Sequence, residues 1–427
     1  NQHNPAVRDY ICDVVRFWVS EFDIDGIRLD AADVLDFEYM KALRHVANEV
    51  KPDFWLMGEV IHGDYTRWVN EGTLHSVTNY NLHKALYSGH NDHNYFEIAH
   101  TVKRLYEMGG SRPDGLKLYN FTDNHDVERI YTRLNNKTHF APVHILLYTL
   151  PGVPSIYYGS EFGIEGKKER FSDDSLRPAL SLADYTDAVT KNPYTMLIAA
   201  LGNIRQRTPA LSYGDYNELL LTNRQYAFSR NYNGQSVITT VNNDDSDYVM
   251  TLRAGNAAEY IGALSGQKVS VNGGNIVVNI KANSGDIWLP LTDDTQKTVS
   301  PVKMDKPCEP APAPVKPADA SAGQTESKND AAVSASQTES KTSADASASQ
   351  TESKTDAAAS AGQTESKNAE PAPQADSQDF ENGKIAGLQE AILAIMSKNG
   401  PVTDQMRRDV EANVYHDSLI AWIKSFR

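Results

Sequence analysis

Behind Asn4-Pro5, an N-cap followed by proline at the first helical position, Val7, Tyr10, Ile11, Val14, Val15, Trp18 and Val19 recur at helical spacing. They predict an opening helix with one apolar stripe. A strand follows, in which Ile24, Ile27 and Leu29 are apolar while Arg28 and Asp30 stand two apart and share a face. Opposite charges on one face of a core strand are costly unless paired or used. They form either a structural ion pair or a carboxylate held ionised at the mouth of a barrel. A helix is expected over 37–50, then strands over 54–59, 76–80, 116–121 and 154–159. An apolar helix over 141–150 is stopped by Pro151-Gly152, and another helix covers 193–206. Strands that alternate with helices and end in polar residues describe a parallel (β/α)8 barrel. About five of its strands are visible, so the others are expected before Asn1 and the chain is expected to be part of a longer product.

From Tyr216 the period changes to short alternating strands, over 217–222, 225–230, 236–242, 248–253, 276–280 and 285–290. Turn signals at Asn233-Gly234 and Asn272-Gly273-Gly274 lie between them. The pattern predicts a small antiparallel β-sandwich. Beyond it no aromatic residue occurs between Trp288 and Phe380, and Gln-Thr-Glu-Ser-Lys recurs four times at 13-residue intervals from Gln324. Units without large apolar residues cannot stack into a repeat fold, so a disordered tether is expected. Apolar positions return in two helical stripes, Ile385 to Met396 and Met406 to Ile423, divided by Asn399-Gly400-Pro401. The domain limits read from these shifts are 1–210, 211–292, 293–379 and 380–427.

Composition narrows the function. A net charge of −15 argues against nucleic acid or an anionic membrane as a partner and suits a neutral substrate such as a sugar. No apolar run is long enough to span a bilayer. Cys12 on the first helix and Cys308 in the tether cannot form a disulfide framework. No signal peptide is visible at Asn1, which leaves the compartment open.

Three acidic residues close three strands: Asp30, Glu59 and Asp126, with gaps of 29 and 67 residues between them. Strands of one barrel present their carboxyl ends on the same face, so the three can converge. Paired carboxylates about 5–5.5 Å apart are what retaining glycoside hydrolysis uses. Arg28 would keep Asp30 ionised as a nucleophile, and the apolar run 54–57 would favour a protonated Glu59.

These residues resemble a known family. Gly26-Ile27-Arg28-Leu29-Asp30, Gly58-Glu59-Val60 and Phe121-Thr122-Asp123-Asn124-His125-Asp126 are similar to three ordered motifs of the α-amylase family of glycoside hydrolases. The run from Gly152 to Glu161 resembles that family's eighth-strand signature. The resemblance covers roughly 1–291, with the sandwich as the family's domain C. It implies Asp30 as nucleophile, Glu59 as general acid/base and Asp126 as the carboxylate that binds and distorts the sugar. Arg28, Asn124 and His125 would bind substrate and orient these groups, and His62, Tyr65 and Arg177 could line the cleft. Asp173 and Asp174 read as solvated loop charges.

Departures also count. The family's first motif and its domain B, the usual source of calcium ligands, have no counterpart here. Asp33-Val34 stands where many α-amylases carry Lys-His. Cyclomaltodextrinases and neopullulanases also lack that pair, so the likeness runs to them. No cofactor is expected to be required, and calcium only through an N-terminal part. The expected substrate is an α-1,4-glucan, cleaved by double displacement. The contrasting expectation is a catalytically silent or truncated member that binds or scaffolds carbohydrate. The helical module at 380–427 is expected to bind a protein partner or self-associate.

Overall fold

The computed structural model describes residues 1–109 and 116–302. The tether repeats, Cys308 and the helical module expected at 380–427 lie outside the described residues.

The opening helix is α1 (Pro5–Phe22), capped by the Asn4 side chain, which accepts from the Ala6 N–H. It leads into β1 (Gly26–Leu29), then α2 (Phe37–Val50) and β2 (Trp55–Gly58). β3 (Ser76–Val77) pairs in parallel with β2, as β2 does with β1. Helices α3 (Tyr80–Asn91) and α4 (Tyr95–Gly109) follow, then β4 (Tyr119–Phe121) and α5 (Ile130–Arg133). The helix α6 (Phe140–Thr149) precedes β5 (Val153–Ser155), which runs parallel to β4. A parallel bridge between Thr78 and Tyr119 joins the two groups, so five parallel strands stand in chain order. The expected last strand is shorter than 154–159, and Val153 is exposed on its open side.

Two glycines are required where strands crowd. A Cβ on Gly26 would sit 2.4 Å from the Trp55 carbonyl oxygen. One on Gly58 would meet the Leu74 Cδ1 at 2.5 Å and the Ala32 Cβ at 2.7 Å. Buried asparagines bind the later strands together: Asn79 Nδ2 donates to Asn120 Oδ1 at 2.8 Å, and Asn120 Nδ2 donates to the Pro151 carbonyl at 2.8 Å.

Helices α7 (Ala188–Lys191), α8 (Pro193–Arg207) and α9 (Pro209–Tyr213) lead to eight antiparallel strands. These are β6 (Asn217–Leu221), β7 (Gln225–Tyr232), β8 (Gln235–Asn242), β9 (Tyr248–Arg253), β10 (Glu259–Gly262), β11 (Lys268–Ser270), β12 (Asn275–Ile280) and β13 (Ser284–Pro290). The sheet order is β11-β10-β13-β8-β7-β6, with β12-β9 as a second layer. Ala227, Ile238, Met250, Leu252, Ile276, Val278 and Trp288 fill the space between. α6 is apolar all round because it is buried on every side, packed in one cluster with α8 residues and with Val241 and Ile287 of the β-domain. Arg230 fastens the β-domain from within, donating to the carbonyls of Thr149 and Leu211 at 2.7 and 3.0 Å. A buried guanidinium is tolerable when its donors meet acceptors in this way.

Two expectations change here. Within the predicted α1 stripe, Val15 is buried with Cys12 and packs toward α2, whereas Tyr10 and Trp18 are exposed, at 67% and 42%. The ordered chain also runs past 292: α10 (Asp293–Gln296) is held by a capping box, and Ser300 and Val302 donate to the carbonyls of Ala263 and Leu264. No helix among the described residues is long and apolar enough to cross a membrane.

Candidate active site

The ends of β1 and β2 are in register, so the residues just beyond them are neighbours. Glu59 N–H donates to the Leu29 carbonyl at 2.9 Å, and Ala32 N–H to the Glu59 carbonyl at 2.8 Å. Between them Ala31 takes a positive φ of 43°, which turns the chain sharply after Asp30. Arg28 projects into this corner and holds two carboxylates at once. Its Nη1 lies 2.8 Å from Asp30 Oδ1 and its Nη2 2.9 Å from Glu59 Oε2. Glu59 is nearly enclosed, with 12% of its side chain exposed, while Asp30 is 79% exposed. The backbone N–H of Ala31 also donates to Glu59 Oε2, at 3.3 Å. The Arg28–Asp30 pair is therefore half of a shared bridge.

The third carboxylate stands on the loop beyond β4. Asn124 Oδ1 accepts the backbone N–H groups of Asp126 at 2.8 Å and Val127 at 3.1 Å, an Asx turn that presents Asp126. Its Oδ2 meets His125 Nε2 at 3.0 Å and its Oδ1 meets Arg177 Nη2 at 3.3 Å. Arg177 also donates to the His125 carbonyl. Asp173 is no free solvated charge: it pairs with Lys168 at 2.8 Å and Arg177 at 3.3 Å, and the Lys168 hydrogen bond holds its carboxyl below the ordinary range.

The floor beneath this loop is buried and polar. Asp123 is fully buried, and its Oδ2 accepts from Ile130 N–H at 2.8 Å and Ser160 Oγ at 2.7 Å. Burial pushes its carboxyl above the usual range. Arg129, also buried, donates to the Tyr158 and Leu176 carbonyls and stacks over the Tyr157 ring at 4.2 Å. His83 stacks on Phe121 at 4.9 Å, and burial pushes it down to about 4, so it is neutral near pH 7.

Of the residues singled out in the sequence, Arg28, Asp30 and Glu59 form one bonded group, and Asn124, His125, Asp126 and Arg177 form another. His62 is exposed on the loop after β2 and joins neither. Tyr65 does not line a cleft; it is completely buried in the core with Trp68 and Leu74. One residue escaped the sequence reading. Tyr80 donates its hydroxyl to Glu59 Oε1 at 3.3 Å and accepts from Asn124 Nδ2 at 3.2 Å, linking the two groups. Among the described residues, no cluster of three or more His, Cys, Asp or Glu side chains is arranged to hold a metal ion.

Residues 1–217 match the model of the α-amylase catalytic domain. A cyclomaltodextrinase of Thermoanaerobacter pseudethanolicus is 30% identical over 254 residues, which is 58% of this chain and 42% of that protein. An intracellular maltogenic amylase of Bacillus subtilis is 31% identical over 172 residues, 40% of this chain and 29% of its own length. The chain thus spans less than half the length of either. Among solved structures, an Anoxybacillus α-amylase aligns with a TM-score of 0.59 at 26% identity, covering 68% of this chain and 65% of that one.

Proposed function

The chain belongs to the α-amylase family, and from that premise we propose that it is a retaining glycoside hydrolase acting on α-1,4-glucosidic bonds. The five parallel strands would then be part of a (β/α)8 barrel. The observation that carries the proposal is the Arg28 bridge: one guanidinium binds two carboxylates at the ends of adjacent strands. In the first step an Asp30 oxygen bonds to the anomeric carbon as the glycosidic C–O bond breaks, and Glu59 gives its proton to the leaving oxygen. In the second, water attacks the same carbon, Glu59 takes the water's proton, and Asp30 is released. Asp126, aimed by Asn124 and flanked by His125 and Arg177, binds the hydroxyls of the sugar being distorted. A cyclomaltodextrinase and a maltogenic amylase among the relatives support maltodextrins, linear or cyclic, as the substrate class.

Proton NMR of the first sugar released from maltoheptaose tests this. The α-anomer is expected to appear before mutarotation; early β-anomer would exclude double displacement. The large exposure of Asp30 gives weight to a second account, a carbohydrate-binding member without turnover. Binding of maltoheptaose with no sugar released would favour it.

A further inference from the structure

We infer that Tyr80 is a positioning residue that aims a proton at Glu59 and ties the acid/base carboxylate to the loop bearing Asp126. The inference rests on Glu59 being the proton-shuttling group proposed above.

The direction of each hydrogen bond is dictated by the one before it. Asn124 Oδ1 faces two backbone N–H groups, of Asp126 and Val127, which fixes the side-chain amide with its Nδ2 outward. That Nδ2 can only donate, and it donates to the Tyr80 oxygen at 3.2 Å. The phenol therefore spends a lone pair on the amide, and its own hydrogen is left for Glu59 Oε1 at 3.3 Å. Burial raises the Tyr80 hydroxyl above its ordinary value, which keeps it a donor. The ring is placed by rigid neighbours. Tyr80 opens α3, whose cap Asn79 is fully buried and accepts from Leu82 N–H at 3.1 Å. Its ring meets Phe121 edge-on, with centroids 5.0 Å apart.

Glu59 thus receives three donors, from Arg28, the Ala31 N–H and Tyr80. The charge bonded to Glu59 is Arg28, which also holds Asp30, and Asp126, paired with His125 and Arg177, stands on the loop that Tyr80 reaches through Asn124. Of the two side-chain donors to Glu59, Arg28 is charged and Tyr80 is neutral, so replacing Tyr80 changes a hydrogen bond and no charge. Tyr80→Phe preserves the ring packing. A donor to a carboxylate favours its charged form, so losing the donor makes Glu59 easier to protonate.

The test uses the full chain and its Tyr80→Phe variant. Carbon-13 NMR of labelled glutamate should show the Glu59 titration midpoint rising by about one pH unit in the variant. The alkaline limb of kcat/KM, which reports the acid in the free enzyme, should move up with it. On maltoheptaose kcat should fall about tenfold or more, with KM changing less than about threefold. A merely structural tyrosine would lower the melting temperature and leave both midpoint and limb in place, and that result would overturn the inference. If the chain has no turnover, the NMR midpoint decides alone: a rise upholds the Tyr80 link while the hydrolase proposal fails. Turnover with an unmoved midpoint does the reverse.

Discussion

Asp30→Asn is expected to lose at least about 10⁴-fold in turnover of maltooligosaccharides while the protein stays folded. The size of the effect follows from the role. An amide cannot form the glycosyl ester, and among the described residues the other carboxylate bonded to Arg28 is Glu59, whose proton is needed for the leaving group. The fold should not notice the change. The Asp30 side chain is 79% exposed and its bond is to one Nη of Arg28, which still has Glu59 as a partner. Losing one exposed ion pair costs about 0.2–1 kcal/mol. Rate on maltotriose and a thermal melt of the same preparation check both halves. A variant that kept a tenth of the parent rate would remove Asp30 from the nucleophile's role.

Glu59→Gln should lower the rate on maltooligosaccharides by about 10²–10⁴-fold, the usual contribution of a positioned acid or base. Its effect should depend on the leaving group. An alkoxide needs a proton as the bond breaks, but fluoride does not, so the first step with α-maltosyl fluoride should be nearly as fast as in the parent. The variant would then stall at the ester, because the second step lacks its base. Glutamine keeps the size of the side chain. Its one oxygen can take the Oε2 place, facing Arg28 and the Ala31 N–H, while its NH2 takes the Oε1 place and donates to the Tyr80 oxygen, so the corner should keep its shape. Equal losses on the oligosaccharide and the fluoride would show that Glu59 holds the site together without shuttling a proton.

Much of this arrangement is legible in the sequence. Asp30 and Glu59 could be found because each directly follows an apolar run that ends abruptly in charge, and strand polarity places such ends on one face. After Phe121 the first charge is Asp123, and Asp126 is singled out by its place in the family-like motif 121–126. Arg28 was legible as Asp30's partner through two-residue spacing, but its hold on Glu59 was not, since that depends on the register of β1 with β2. Tyr80 was hidden for a related reason. Its partners lie 21 and 44 residues away, and it reads as the end of the expected strand 76–80, whereas that strand stops at Val77 and Tyr80 opens α3 behind its cap Asn79. Helix α3 was passed over because His83 and His90 are buried among its apolar positions and blur the stripe. Burial pushes these imidazoles down to about 4 and about 3, so they serve as neutral core residues. Tyr65 was misplaced by proximity in sequence to Glu59, when its turn directs it into the core. The strands β10 and β11 went unread because they are short and lie among Gly, Ser and Lys.

The central claim is a covalent glycosyl ester on Asp30, and the stalled Glu59→Gln variant gives direct access to it. After reaction with α-maltosyl fluoride, intact mass spectrometry should show one maltosyl group added per chain, and peptide mapping should locate it on Asp30. An adduct on any other residue, or release of maltose by the parent protein with no adduct ever forming on the variant, would contradict the account.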